Sequence, residues 1–196
     1  MTIRKGESWG SEVARPSSLR VAHSDAELAR WITADPDGAY GVADGDLHRT
    51  VGAPGSSGAT MHRLPIDVLE VEIDGRHHVA VAHVVVRRRW WRGRVLFVCN
   101  VGHVGTWNVA PRAHPNDGRF DVVEIGSSMR MRDRWEARRR LPTGTHVPHP
   151  AVTMRATNEW TWSDQNGARV WVDGEDTGSA TAVTVRLRPD AAAILI

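Results

Sequence analysis

The chain has 196 residues, of which 41% are apolar and 24% are charged, a balance that excludes a disordered or collagen-like chain. The 25 basic and 23 acidic residues leave a net charge of only +2, and the single cysteine, Cys99, excludes an internal disulfide and a multi-cysteine metal site. No apolar run approaches the roughly 20 residues that span a bilayer, and the polar residues 1–10 do not form a secretory signal. We therefore expect a soluble, reduced, cytoplasmic protein.

The first part of the chain is typical of a short α/β segment. A helix is predicted over residues 25–32, because Ser24 and Glu27 form a capping box and Leu28 and Ile32 lie four apart on one face. The other elements expected there are an irregular lead-in over residues 1–18 and two short strands, at residues 19–22 and 39–42. A Pro-Gly-Ser-Ser-Gly loop follows, so we divide the chain into two domains, residues 1–58 and 59–196.

The pattern of the second domain is typical of strands. Leu69, Val71 and Ile73 alternate with glutamates, as in a half-buried strand, and Asp-Gly and Asn-Gly pairs mark tight turns. A helix is expected over residues 132–140, ended by a Leu-Pro pair. Strands are predicted at residues 69–73, 79–86, 95–101, 121–125, 152–156, 159–162, 170–173 and 180–188. We expect an α+β, mainly β fold, with a β-sandwich-like main domain and a truncated α/β fragment before it.

Common catalytic motifs are missing from the sequence. It contains no Gly-x-x-x-x-Gly-Lys-Ser/Thr loop and no Gly-x-Gly-x-x-Gly fingerprint, and no Gly-x-Ser-x-Gly elbow. His146 and His149 have a spacing that metal ligands can use, but they lie in a proline-rich loop, which favours loop packing instead. Asp117 and Asp173 each begin an Asp-Gly turn at a strand end, where a carboxylate can project into a cleft.

A series of short motifs in the second domain occurs in the order found in one known family. The motifs are a strand ending in Asn100, Ala110-Pro111, Asn116-Asp117-Gly118, Gly144-x-His146 with His149-Pro150, Val172-Asp173-Gly174-Glu175, and Pro189-Asp190-Ala191. In this order they resemble the C-terminal β-domain of the bacterial diacylglycerol kinases, lipid kinases related in fold to NAD kinases and sphingosine kinases. The resemblance implies phosphorylation of a lipid hydroxyl that depends on ATP and Mg²⁺.

The first domain resembles only the end of the family's nucleotide-binding domain. Residues 46–52 match best the family segment Gly-Thr-x-Asn-Asp-Phe-Ala-Arg-x-Leu-Gly, which implies that Asp46, Arg49 and Thr50 contact the nucleotide. The family's Gly-Gly-Asp-Gly-Thr loop is absent from this sequence. We therefore interpret residues 1–58 as a shortened form of that domain.

The resemblance also implies roles for residues of the second domain. Glu175 matches the proton acceptor of the family. Asp117 matches an acidic residue of a magnesium site, with neighbouring carbonyl ligands near His114 and Arg119. One carboxylate with carbonyl oxygens suits Mg²⁺, which keeps several of its waters.

Two alternatives to a self-sufficient kinase stay open. In the first, the protein is a non-catalytic relative that binds a lipid or membrane surface. Trp90-Trp91, flanked by arginines, and the basic segment at residues 131–140 are the candidate contacts. In the second, a partner chain or a second copy in a homodimer supplies the missing glycine-rich loop. Nucleic acid is not expected as a partner, because no reader motif is present.

Overall fold

The computed structural model of the protein describes residues 9–54, 58–89 and 92–196. In chain order the strands and helices are β1 (Ser11–Ala14), β2 (Arg20–Ala22), α1 (Asp25–Ala34), β3 (Tyr40–Val42), α2 (Asp46–Val51), β4 (Thr60–Ile73), β5 (Arg76–Ala80), β6 (His83–Arg87), β7 (Val95–Cys99), β8 (His103–Val104), β9 (Trp107–Asn108), β10 (Phe120–Ile125), α3 (Met131–Arg140), a 3₁₀ helix (Leu141–Thr143), β11 (Val152–Thr157), β12 (Glu159–Val172) and β13 (Glu175–Leu195).

One large sheet dominates the fold. Eight of its strands follow the order β1-β4-β13-β12-β6-β7-β10-β11, and β5 pairs with β4. These neighbours are antiparallel, whereas the short strand β3 runs parallel to its neighbours β2 and β13. Strands β8 and β9 form a separate small ribbon. The predicted fold class, mainly β and sandwich-like with a small α/β fragment, is confirmed.

The long strands β4 and β13 take part in two hydrophobic cores because their pairing is interrupted. Their register shifts between Arg188 and Ala192, where Asp190 has a φ of 51°. Asp190 donates its backbone N–H to the buried carboxylate of Asp67 at 2.9 Å. This contact joins the bend of β13 to β4 and allows the two halves of each strand to face different layers.

The first core fills the sandwich, and the second lies under the N-terminal fragment. Trp160, Trp162 and Phe120 are among the buried side chains of the first core. The second core packs apolar residues of β2, α1, β3 and α2 against the first half of β4 and the end of β13. The chain therefore buries its N-terminal fragment on the β-domain, while the division at residue 58 stays a prediction.

Helix α1 begins and ends as its sequence predicts. The Ser24 hydroxyl accepts the backbone N–H of Glu27 at 3.1 Å, and the Glu27 carboxylate accepts that of His23 at 2.8 Å. Leu28 and Ile32 are buried in the second core. The helix ends before Asp35, ahead of a proline that disfavours the helical conformation in the residue preceding it.

Four sequence-based expectations are wrong in detail. The lead-in contains a strand, β1, and the expected strand at residues 79–86 is two strands, β5 and β6. The two strands expected at residues 159–162 and 170–173 are one, β12, with a bulge between Ser163 and Ala168. The last strand, expected at residues 180–188, runs from Glu175 to Leu195.

No helix in the described part of the chain is long and apolar enough to cross a membrane.

Candidate functional site

An open cleft lies where the N-terminal fragment meets the β-domain. It has a volume of about 640 Å³ and is bordered by α2, β6, the β8–β9 ribbon and the turn between β12 and β13. The polar residues that line it include Asp25, Asp44, Asp46, Arg49, His83, Arg87, Thr106, Arg138 and Asp173. Residues 46–49 and 173–174 are far apart in sequence and meet at this cleft.

Asp173 forms the floor of the cleft between β5 and β6. It begins the turn after β12 with a φ of 46°. Its carboxylate accepts the backbone N–H groups of Val81, Ala82 and His83 at 2.8, 2.9 and 2.9 Å. These donors favour the charged form, but burial has the larger effect and raises its pKa to about 7. Asp173 therefore interrupts the predicted strand at Val81 and holds the start of β6 in place.

Asp25 fixes the beginning of α2 at the cleft. Its buried carboxylate accepts the backbone N–H of Asp46 at 2.6 Å and of Leu47 at 3.1 Å. The helix has no N-cap hydrogen bond from its own N-cap residue, Gly45. Burial raises the pKa of Asp25 to about 6, against the effect of these two hydrogen bonds. A carboxylate distant in sequence thus replaces a local cap.

Asp46 lies at the centre of the polar contacts in the cleft. Its carboxylate accepts the backbone N–H of Gly105 at 2.9 Å, and Arg49 Nε lies 3.6 Å from it. His83 Nδ1 is 3.4 Å from Asp46 Oδ2. Burial lowers the pKa of His83, although the charge of Asp46 opposes this effect. A neutral imidazole beside a carboxylate is an arrangement that can accept or pass a proton.

Arginines on aromatic rings supply positive charge around the same cleft. The guanidinium of Arg87 lies 4.1 Å from the ring centre of Trp171, and that of Arg138 lies 5.8 Å from Trp107. Together with Arg49 they bring three guanidinium groups to the cleft lining. Such groups suit phosphate, because a guanidinium donates two parallel hydrogen bonds.

Glu175, the predicted proton acceptor, lies next to the cleft. It follows Gly174, which lines the cleft, and its own side chain borders a neighbouring cavity of about 350 Å³ that shares Asp173. The side chain is 60% exposed and pairs with Arg30 of α1 at 2.7 Å. Glu175 is therefore a solvated carboxylate at the start of β13, held by a surface ion pair.

The three predicted nucleotide contacts lie together on α2. Asp46 and Arg49 line the cleft. Thr50 is on the same helix, where its hydroxyl donates to the carbonyl of Asp46 at 3.2 Å. Asp46 and Arg49 therefore share the cleft, Glu175 borders the neighbouring cavity, and the Thr50 side chain is engaged within its own helix.

The predicted magnesium residues lie elsewhere. Asp117 and Arg119 line a cavity of about 240 Å³ beside β10 and β11, which shares no described lining residue with the cleft. Arg119 Nε is 3.0 Å from Asp117 Oδ2. His114 packs edge-on against Trp9, and its carbonyl accepts the N–H of Asp117 at 3.4 Å. The three residues lie in one turn, apart from the cleft, and their role in binding Mg²⁺ stays a prediction.

No group of three or more His, Cys, Asp or Glu side chains in the described parts of the chain is arranged to hold a metal ion, and this turn offers only one carboxylate of its own, that of Asp117. The Asp117 carboxylate is accompanied by the buried side-chain oxygen of Asn116, which accepts no hydrogen bond from any described residue. Asn116 donates to Asp190 at 2.9 Å, and Gly118 donates to Asp67 at 2.8 Å. Asp117 is the residue of this turn that would hold a Mg²⁺ ion, in competition with its ion pair to Arg119.

The sequence analysis singles out Asp173, but two other residues of the cleft, Asp25 and His83, do not appear among its candidates. Asp173 has a usable signal, since it begins an Asp-Gly turn at a strand end. Asp25 looks like an ordinary acidic residue in the first turn of a helix, and His83 looks like part of a strand. Their role depends on contacts between residues 21 to 92 positions apart, which periodicity does not reveal.

Comparison with known proteins identifies the family to which this β-sandwich domain belongs. The family model described as the YegS C-terminal NAD kinase beta sandwich-like domain matches residues 59–196. Two solved structures of a protein assigned as a diacylglycerol kinase from Bacillus anthracis str. Sterne share the fold. Their TM-scores are 0.51 and 0.50, with sequence identities of 12% and 11%.

The match to these structures is partial. It covers 68% of this chain in both cases, and 56% and 57% of the other chain, so the protein spans little more than half of the kinase chains it matches. A search of curated proteins gave no match. The family resemblance predicted from the sequence is confirmed: the chain belongs to the YegS-type, diacylglycerol-kinase-like family, of which it carries the C-terminal NAD kinase-like β-sandwich domain.

Proposed function

We propose that this protein takes part in ATP- and Mg²⁺-dependent phosphorylation of a lipid hydroxyl, and that the cleft is the place of transfer. One observation carries the proposal. Two segments that resemble functional parts of the lipid kinases, residues 46–49 and 173–174, lie more than a hundred positions apart and both line the cleft, and Glu175 follows at its edge on the neighbouring cavity. A likeness due to turn composition alone would not require them to meet.

In this proposal Glu175, at the edge of the cleft, acts as the base after its side chain turns from Arg30 toward the cleft. The lipid hydroxyl oxygen attacks the γ-phosphorus, its proton passes to Glu175, and the bond to the leaving ADP breaks. The ion pair with Arg30 does not prevent this role, because an exposed pair contributes only about 0–1 kcal/mol and opens readily. Arg49, Arg87 and Arg138 are the groups available to hold phosphate oxygens.

A second candidate, a non-catalytic relative, is favoured by a different observation. The sequence lacks the glycine-rich loop of the family, and the first N–H groups of α2 are already bound by Asp25. Positioning and electrostatic stabilisation of the phosphates supply most of the catalysis in phosphoryl transfer. A partner chain that donates the loop would restore these interactions.

The test is a lipid kinase assay with diacylglycerol in detergent micelles and labelled ATP. We expect phosphorylation by the wild-type protein, and a loss of about 100-fold or more in Glu175→Gln, because a general base contributes about that much. Glu159→Gln is the matched control. Glu159 is also an ion-paired surface glutamate, 56% exposed, and lies on β12.

Unchanged activity in Glu175→Gln would remove Glu175 from the mechanism. No activity of the wild-type protein in this assay would favour the non-catalytic candidate.

A further inference from the structure

Helix α3 carries two large apolar side chains on the surface. Met131 is 57% exposed and Trp135 is 54% exposed, and no other large apolar side chain of the described residues is classed as exposed. The two residues are four positions apart, so they lie on the same face of the helix. An apolar pair of this kind is a feature that the fold itself does not explain.

The side of α3 that carries Arg134, next to the apolar pair, is firmly attached to the β-domain. Arg134 is buried and donates to the carbonyls of Met129 at 3.1 Å and Gly126 at 2.8 Å, and also to that of Gly93. These contacts fix the rotation of the helix about its axis. The outward position of Met131 and Trp135 is therefore set by the fold rather than by fraying.

Positive charge surrounds the apolar pair. The exposed arginines of this segment are Arg130, Arg132, Arg138, Arg139 and Arg140. The guanidinium of Arg139 lies 4.9 Å from the ring centre of Trp135. Only two acidic residues lie on the helix, and one of them, Glu136, already pairs with Arg140. The surface thus combines an apolar centre with a basic rim.

The neighbouring hairpin extends the basic surface. The contact between Arg134 and Gly93 brings the turn between β6 and β7 next to α3, and this turn carries the exposed residues Arg89 and Arg92. Trp90 and Trp91, the membrane contacts expected from the sequence, lie outside the described residues. Arg138 of α3 also lines the cleft, so this surface borders its opening.

We propose that α3 docks the protein on an anionic lipid bilayer, with Met131 and Trp135 inserted at headgroup level and the arginines on lipid phosphates. Tryptophan and arginine suit that interface, because the ring is amphipathic and the guanidinium binds phosphate. The excess of arginine favours an anionic bilayer over a neutral protein partner. Docking would bring the cleft to a lipid surface, and it does not depend on catalysis.

Vesicle flotation without nucleotide tests the proposal. We expect the protein to float with vesicles of equal parts phosphatidylglycerol and phosphatidylcholine at low salt. It should not float with phosphatidylcholine alone, and high salt should weaken the binding. The double variant Arg132→Gln with Arg139→Gln should partition roughly 30-fold less, from about fivefold per arginine. Met131→Ser with Trp135→Ser should lower partitioning about tenfold or more.

Arg186→Gln with Arg188→Gln is the matched control. It removes the same charge from exposed positions on β13 and should float like the wild-type protein. All the substituted side chains are exposed, so unchanged thermal unfolding shows that the variants are folded. No flotation of the wild-type protein on anionic vesicles would overturn the proposal. So would equal losses in the α3 and β13 variants, which would indicate attraction by net charge alone.

Discussion

Among single residues, Asp173 shows most clearly how burial and function compete in this fold. Its carboxyl group accepts three backbone N–H groups at the base of the cleft and is shielded from water. Burial raises its pKa from the ordinary value of 3.8 to about 7. The folded protein therefore holds this proton more tightly than the unfolded chain does, and stability depends on pH through this group.

Asp173→Asn should test this linkage. An asparagine directs its NH₂ at one of the backbone donors, so we expect a loss of about 1–3 kcal/mol in the free energy of unfolding near pH 5. The loss should shrink as the pH rises from about 4 to about 7, because the contribution of a group with a raised pKa is complete below its unfolded pKa and disappears above its folded one. Urea unfolding across this range measures it.

Asp37→Asn, in the exposed turn after α1, is the control and should show no such pH dependence. A loss for Asp173→Asn that grows with pH would mean that the carboxylate is stabilised by its three hydrogen bonds more than it is penalised by burial.

At the scale of elements, the position of α2 depends on one glycine. Gly45 has a φ of 112°, and a Cβ atom there would lie 2.6 Å from the Asp25 carboxylate. Gly52, at the end of α2, has a similar backbone conformation, with a φ of 90° and a ψ of 176° against 112° and −178° for Gly45, but a Cβ there would meet nothing within 4 Å. Comparing alanine substitutions at the two positions therefore distinguishes the cost of backbone strain from the cost of the steric conflict with Asp25 at the start of α2.

Gly52→Ala should cost about 1–3 kcal/mol in the free energy of unfolding, the typical strain of a residue other than glycine in this backbone region. Gly45→Ala should cost clearly more, because Asp25 must also move away from the N–H groups of Asp46 and Leu47. Chemical denaturation of the two variants compares them directly. Equal losses would mean that Asp25 can yield to the Cβ without loss of its hydrogen bonds.

The same elements show what the sequence can and cannot predict. Helix α1 follows from local signals, since its cap and its apolar face lie within ten residues. Strand β7 follows as well, because all five of its residues are apolar and buried. Helix α2 has only six residues, and its first N–H groups are capped by Asp25, which is distant in sequence. No local sequence pattern therefore predicts this helix. The break between β5 and β6 depends in the same way on Asp173, about 90 positions away.

At the scale of the whole molecule, the residues predicted to form the site lie in two separate places. Family resemblance predicted Asp46, Arg49 and Glu175, and the fold places the first two on the cleft and Glu175 on the neighbouring cavity that shares Asp173. Resemblance also predicted the turn of His114, Asp117 and Arg119, which the structure places at a separate cavity. The sequence shows which motifs the chain contains and in which order. The distances in space between these motifs follow from the bend of β13 and from the packing of the N-terminal fragment on the β-domain.

The central claim is that the cleft binds the phosphates of a nucleotide. Isothermal titration calorimetry of the purified protein with Mg-ATP tests it most directly, with Arg49→Ala as the cleft variant. Arg63→Ala, which removes an exposed arginine of β4, is the control. We expect micromolar binding by the wild-type protein and by the control. Arg49→Ala should bind about tenfold or more weakly, because it loses a charge-assisted hydrogen bond to phosphate. No binding heat with the wild-type protein, or equal affinity in Arg49→Ala, would contradict the account.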